Sequence, residues 1–66
     1  MYASPKFKKG DRVRVRNSNS PYKGSKGIVK GSSFKEGTGF SYVVEIEWEG
    51  QARANSFMEQ ELEKVK

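Results

Sequence analysis

The stretch FSYVVEIEW, residues 40–48, carries the clearest strand signal in this 66-residue chain. Aromatic and β-branched side chains alternate with polar ones along it, which is the period-two pattern of a strand with one buried face. The side chains predicted to face the core are Tyr42, Val44, Ile46 and Trp48. The opposite face carries Glu45 and Glu47 and is predicted to face water. We therefore expect most of the small core to pack on one side of this strand.

Two further strands are predicted before this one. Residues 12–16, RVRVR, alternate strictly, so Val13 and Val15 should point inward while the arginines point to solvent. Residues 27–31 form a shorter run that predicts a second strand. The polar, glycine-containing segment at residues 32–39 is predicted to be a loop.

Three shorter elements are predicted after the long strand. The Glu49-Gly50 pair suits a tight hairpin turn into a strand at residues 51–57. Residues 58–62 fit one 3₁₀ turn, and residues 63–65 form a last short strand. Five short strands separated by turn signals predict an all-β fold. We expect a small, strongly bent antiparallel barrel, because a closed sheet protects its edges.

The length of the chain limits it to one domain with a small core, because a chain of this size buries only about 60% of its unfolded surface. We expect a flexible N-terminal arm at residues 1–6 and a single domain at residues 7–66. The longest apolar run is far shorter than a membrane-spanning segment, and no secretory signal is recognised. A cytoplasmic location is therefore expected.

The residue types present exclude several kinds of chemistry. The sequence contains no cysteine and no histidine, which excludes disulfides, thiolate nucleophiles, zinc fingers and imidazole bases. The glutamates alternate on predicted solvent faces and assemble into neither a metal cluster nor a catalytic triad. The glycines in residues 24–27 lack the spacing and the following helix of a nucleotide-binding loop. We expect a protein without enzymatic activity, metal or cofactor.

The net charge of +5 is distributed unevenly along the chain. Residues 1–35 carry a charge of +9, whereas residues 36–66 carry −4. This asymmetry predicts one positive surface that attracts either nucleic acid or an acidic protein. The predicted partner-binding residues are Arg12, Arg14, Arg16, Lys23, Lys26, Lys30 and Lys35.

The same arginines have a second interpretation, which is a solvated strand face whose cations pair with glutamates across the fold. The sequence favours the two interpretations about equally. Exposed aromatic rings beside the basic residues would favour nucleic acid, because bases stack on such rings. Tyr22, Phe34 and Phe40 lie in or beside the basic loops, but each is predicted to cap the core instead.

Three motifs resemble the PsaE family of photosystem I accessory proteins and together cover most of the chain. They are an opening strand with Tyr22 and a GIV segment after it, the strand YVVEIEW, and the ending NSFMEQEL, at residues 10–29, 42–48 and 55–62. The resemblance implies an SH3-like barrel. It also implies a basic accessory protein that helps acidic ferredoxin to dock in photosynthetic electron transport, peripheral to a thylakoid membrane complex.

The chain departs from that family in two places and also resembles others. The connection between Trp48 and Asn55 is shorter than the family's, and the segment at residues 32–39 is longer and more basic. Residues 8–31 are similar to the KOW motif of ribosomal proteins and transcription elongation factors, which implies an RNA- or ribosome-binding module instead. Residues 10–14 also resemble type II dihydrofolate reductase, whose Val-Gln-Ile-Tyr strand is missing here.

Overall fold

The computed structural model describes residues 4–16 and 19–65. In this part of the chain, five β-strands and one 3₁₀ turn follow one another, and no helix is long and apolar enough to cross a membrane. The elements are β1 (Arg12–Val15), β2 (Lys26–Lys35), β3 (Gly39–Trp48), β4 (Gln51–Met58), the 3₁₀ turn (Glu59–Glu61) and β5 (Leu62–Lys64). The predicted all-β class and the 3₁₀ turn before the last strand are confirmed.

The strands form one antiparallel sheet in the order β4-β3-β2-β1-β5. The predicted closure into a barrel is wrong, because no ladder joins the two edge strands, β4 and β5, in the described residues. All three residues of β5 pair with β1, and all eight of β4 pair with β3. The short 3₁₀ turn carries the chain from one edge to the other, so the sheet stays open.

The long strand β3 organises the core as predicted. Tyr42, Val44 and Ile46 are buried on one face, and Trp48 at the end of the strand is half-buried. Tyr22 packs edge-on against Trp48 at 5.1 Å. The remaining buried side chains come from the other strands and from the segment before β1, namely Phe7, Val13, Val15, Val29, Phe57 and Leu62. One face of the sheet therefore holds the whole described core, and we call the opposite face the outer face.

The predicted loop at residues 32–39 is wrong, because β2 continues to Lys35 and pairs with β3 along its whole length. Only the residues between Lys35 and Gly39 form the turn. The Gly-Ser-Ser sequence before Phe34 has little strand propensity, so its local signal was that of a loop. Here the long strand β3 supplies a complete row of backbone partners, and this tertiary pairing overrides the local preference.

A β-bulge interrupts the ladder between β2 and β3. Val29 pairs with Val44, whereas Gly31 pairs with Val43, so Lys30 is an extra residue without a direct partner on β3. Such a bulge bends its strand and increases the local twist. The part of the hairpin beyond the bulge projects from the sheet, and the molecule measures 41 Å along its longest axis against 24 and 20 Å along the others.

Two glycine positions determine how the strands meet. The turn between β3 and β4 has φ of 52° at Glu49 and 77° at Gly50, which fits the predicted two-residue hairpin turn with both central residues left-handed. At Gly27, a Cβ atom would lie 2.5 Å from the Glu45 carbonyl oxygen and 2.7 Å from Val44 Cγ1. Because neither contact is possible for a side chain, only glycine permits β2 to approach β3 this closely at residue 27.

Candidate functional site

The cations of β1 lie on the outer face of the sheet. Arg12 and Arg14 are exposed, while the valines between and after them are buried. Lys26 on β2 is the ladder partner of Arg14, and it is exposed as well. Neighbouring strands are about 5 Å apart. The structure therefore brings the guanidinium groups of β1 and the ammonium group of Lys26 into one region, as predicted.

The end of this region is completed by the turn that precedes β2. Val15 donates a backbone hydrogen bond to Ser25 and accepts one from Gly24. These two bonds hold Lys23 and Arg16 close to the end of β1. We call Arg12, Arg14, Arg16, Lys23 and Lys26 the basic surface. It contains five of the seven predicted partner-binding residues.

One arginine of the basic surface has a carboxylate partner. Arg14 Nη2 lies 2.8 Å from Glu63 Oε2 on β5, in a salt bridge between two exposed side chains. The hydrogen bond and charge of Arg14 lower the pKa of the Glu63 carboxyl below its ordinary value, and the charge of Arg16 lowers it further. The interpretation as a strand face whose arginines pair with glutamates is thus correct for Arg14. Such an exposed pair adds little stability.

An open groove of about 390 Å³ lies beside the basic surface on the outer face. Arg12 and Lys26 line one side of it, and Glu45 and Glu47 of β3 line the other. Its residues are Arg12, Lys26, Gly27, Ile28, Glu45, Glu47, Ala52 and Val65. The groove therefore has a cationic side, an acidic side and apolar side chains between them. Sequence reasoning placed both glutamates on the solvent face but did not predict that they border the basic residues.

The last two predicted residues, Lys30 and Lys35, lie away from the basic surface. Lys30 is the extra residue of the bulge, and Lys35 is the last residue of β2. Beyond the bulge, Gly31–Lys35 pair only with β3 among the described strands, and the ladder of β4 on β3 ends at Ser41. We call residues 31–40 the arm. A two-stranded ribbon of this kind has little stability of its own.

The arm carries an exposed aromatic ring. Phe34 and Phe40 are ladder partners whose ring centroids are 4.9 Å apart, and Phe40 stacks on Tyr42 at 6.5 Å. Phe40 is half-buried, but 55% of Phe34 is exposed. The prediction that Phe34 caps the core is therefore wrong. The core ends at Phe40, because the arm extends Phe34 beyond the reach of the other strands.

Three lysines near the base of the arm were not among the predicted site residues. Gly10 donates a hydrogen bond to the Val29 carbonyl oxygen, and Val29 donates one to Asp11. These bonds fasten the segment with Lys8 and Lys9 beside the bulge. The Lys6 amide donates to the Tyr42 hydroxyl at 2.8 Å. The sequence showed the positive charge of this segment, but only the long-range hydrogen bonds reveal where it lies.

The Tyr42 hydroxyl joins three parts of the fold at this point. It accepts hydrogen bonds from the backbone amides of Lys6 and Phe7, and it donates one to Glu59 Oε2 at 2.6 Å. Burial of the ring and the bond to the Glu59 carboxylate raise the pKa of Tyr42 above its ordinary value. The hydroxyl therefore stays protonated and continues to donate to Glu59 throughout the neutral pH range.

The described residues contain no group of three or more carboxylates or other ligands that could hold a metal ion. Comparison with known proteins finds no matching family model, no matching curated protein and no matching solved structure. The resemblance to the PsaE family and to KOW domains therefore rests on the quoted motifs alone. Arguments about function have to come from the surfaces described above.

Proposed function

We propose that this chain is a non-enzymatic docking module that binds an acidic protein through the basic surface and the adjoining groove. The observation that supports this most directly is the position of Arg12 and Lys26 along one side of a groove that also contains Ile28 and Val65. A partner can place carboxylates on the cations and an apolar side chain between the two sides of the groove. Arginine suits the first contact because its fork matches a carboxylate.

The acidic side of the groove favours a protein over a nucleic acid at this surface. Glu45 and Glu47 lie two strands away from the cations of β1. A continuous phosphate backbone crossing the outer face would be repelled by these carboxylates. A protein surface carries charges of both signs and can match both sides. The KOW-like alternative, with RNA on the basic surface, is therefore less well supported.

Electrostatic steering is the mechanism that fits exposed cations of this kind. Long-range attraction raises the association rate more than the affinity, and salt screens it. The partner class we propose is an acidic electron-transfer protein such as ferredoxin, met either free or within a larger electron-transport complex. In this proposal the chain acts in the cytoplasm or at the periphery of a membrane complex and has no cofactor of its own.

An NMR titration tests the proposal. ¹⁵N-labelled protein is titrated with ferredoxin and, in parallel, with single-stranded RNA, at low and at moderate salt. We expect ferredoxin to shift the amides of Arg12, Arg14 and Lys26, and moderate salt to weaken the effect. Absence of these shifts at low salt contradicts the acidic-protein proposal. Shifts of the same three amides with RNA would favour the KOW-like function instead.

Charge-reversal variants locate the binding surface. Lys26→Glu should slow association with ferredoxin several-fold, because it adds a third carboxylate to the groove. Arg53→Glu is the matched control, since Arg53 is an exposed cation of β4 outside both the groove and the arm. Equal effects of the two variants would show that net charge, and not the basic surface, drives binding.

A further inference from the structure

We propose that the arm is a second binding site, separate from the basic surface, and that it binds single-stranded nucleic acid by stacking a base on Phe34. The proposal does not depend on the docking function proposed above. It rests on the aromatic row of the hairpin, on the exposure of Phe34 and on the lysines that surround the arm.

The aromatic row runs from the core to the tip of the arm. Phe7 meets Tyr42 edge-on at 5.1 Å, Tyr42 stacks on Phe40, and Phe40 contacts Phe34. Phe7 and Tyr42 are fully buried, so the inner end of the row is fixed by the core. Each pair also adds favourable ring–ring interaction. The row therefore positions Phe34 firmly even though the arm has little support from other strands.

Phe34 is the most exposed large apolar side chain of the described residues. Burial of this ring would stabilise the fold, yet the hairpin carries it past the last ladder partners of β4. A base stacked on the ring would cover the apolar surface that water now contacts. Base–aromatic stacking does not depend on sequence, because every base has a π-face.

Lysines lie near both ends of the arm and supply contacts for phosphates. Lys35 follows Phe34 directly, and Lys30 lies at the bulge. Lys8 and Lys9 lie beside the bulge through the Gly10–Val29 hydrogen bond. The nearest acidic residue in sequence, Glu36, occupies the turn at the tip. Asp11 is already engaged, by the Lys8 amide at 2.9 Å and by Lys64 at 3.8 Å.

A single strand fits this arrangement better than a duplex. The bases of a duplex are already stacked on one another, so their faces are not available to Phe34 without opening the helix. A single strand can rotate one base onto the ring while its backbone passes the lysines, as in proteins that combine a cationic surface with aromatic platforms. The geometry thus predicts a preference for unpaired nucleic acid and little dependence on base sequence.

Fluorescence anisotropy with labelled 12-nucleotide RNA and DNA strands of one mixed sequence, and with the DNA duplex, tests the proposal at low salt. Phe34→Ala should weaken single-strand binding about 5- to 150-fold, the range that loss of one stacked base produces. Phe34→Trp should retain or strengthen binding. Val43→Ala is the matched control, because Val43 is an exposed apolar residue of the same hairpin on the outer face. It should bind like the unmodified protein.

Substitution of the lysines tests the phosphate contacts separately. Lys30→Gln and Lys35→Gln should each reduce the steepness of the salt dependence by about 0.7 in the log–log slope. Arg53→Gln should leave that slope unchanged. The proposal is overturned if no strand binds, if the duplex binds as tightly as the single strand, or if Phe34→Ala binds as tightly as Val43→Ala. Because Phe34 is exposed, Phe34→Ala should remain folded, and the unchanged NMR shifts of Val13 and Val15 would verify this.

Discussion

The Tyr42 hydroxyl donates a 2.6 Å hydrogen bond to the Glu59 carboxylate, and this bond ties the central strand to the 3₁₀ turn that separates the two edges of the sheet. The same carboxylate accepts a bond from the Lys6 amide at 3.2 Å. The 3₁₀ turn itself is held by a 2.7 Å bond from the Met58 amide to Glu61 Oε1. In an open sheet of this size, these bonds fix the course of the chain between β4 and β5.

Tyr42→Phe should therefore destabilise the protein without changing its fold. The buried ring is retained, but the Lys6 and Phe7 amides and Glu59 each lose their partner at the hydroxyl. We expect the free energy of unfolding to fall by about 1–3 kcal/mol, the usual cost of leaving buried polar groups unpaired. Urea denaturation measures it. An unchanged midpoint at an unchanged m-value would contradict the structural role of this hydroxyl.

The ion pair between Arg14 and Glu63 should be visible in the titration of the glutamate. Because its folded pKa is lowered, the pair contributes to stability above the ordinary glutamate pKa, and that contribution is lost as the pH falls through the folded pKa. NMR detection of the side-chain carboxyl should find the pKa of Glu63 below its ordinary value in the unmodified protein. In Arg14→Gln it should rise most of the way back. A pKa that is the same in both proteins would show that the salt bridge does not form in solution.

The close approach of β2 and β3 at Gly27 predicts a large effect of one added methyl group. In Gly27→Ala, the new Cβ would meet the backbone oxygen of Glu45, which cannot move without separating the two strands. We expect a loss of roughly 1–3 kcal/mol in the free energy of unfolding.

Gly31→Ala is the control for Gly27→Ala, because a Cβ at Gly31 would have nothing within 4 Å. Both residues lie in β2, so the two variants share any effect of glycine replacement on the unfolded chain. Thermal unfolding followed by circular dichroism compares them. If both variants lose equal stability, the close contact at Gly27 is not the cause.

The turn between β3 and β4 should accept a better residue at its first central position. Glu49 is the only described residue other than glycine with a positive φ, at 52°. Asparagine adopts this conformation more readily, and Asn-Gly is the preferred pair for such a turn. Glu49→Asn should raise the free energy of unfolding by roughly 0.5–1 kcal/mol. Glu49→Val should lower it, since β-branched residues resist this conformation, and a reversed order in the melting temperatures would contradict the turn geometry.

Strict alternation was sufficient to predict the strands that form the centre of the sheet. Val13, Val15 and Tyr42 lie on the predicted face because their own sequences distinguish the two sides. The outer half of β2 could not be predicted in this way. Its Gly-Ser-Ser segment has no pattern of its own, and its strand conformation comes from pairing with residues 39–43 of β3.

The candidate sites were predictable only in part, for a related reason. Charge is visible in a sequence, so the basic surface of β1 was found. The juxtaposition of Lys26 with Glu47, or of Gly10 with Val29, depends on pairing between distant segments. The exposure of Phe34 depends on where the ladder of β4 stops. Neither quantity is carried by the residues themselves.

The extra residue at the β-bulge corrects the phase of β2. If Lys30 took a regular place in the ladder opposite Val43, every later residue of β2 would shift by one position, and Phe34 would lie opposite Gly39 on the other side of the ribbon. The bulge absorbs Lys30, and Phe34 remains opposite Phe40. In this part of the chain a deletion of Lys30 would thus preserve the aromatic pair, whereas a single insertion between Gly31 and Phe34 would break it, although neither change touches an aromatic residue.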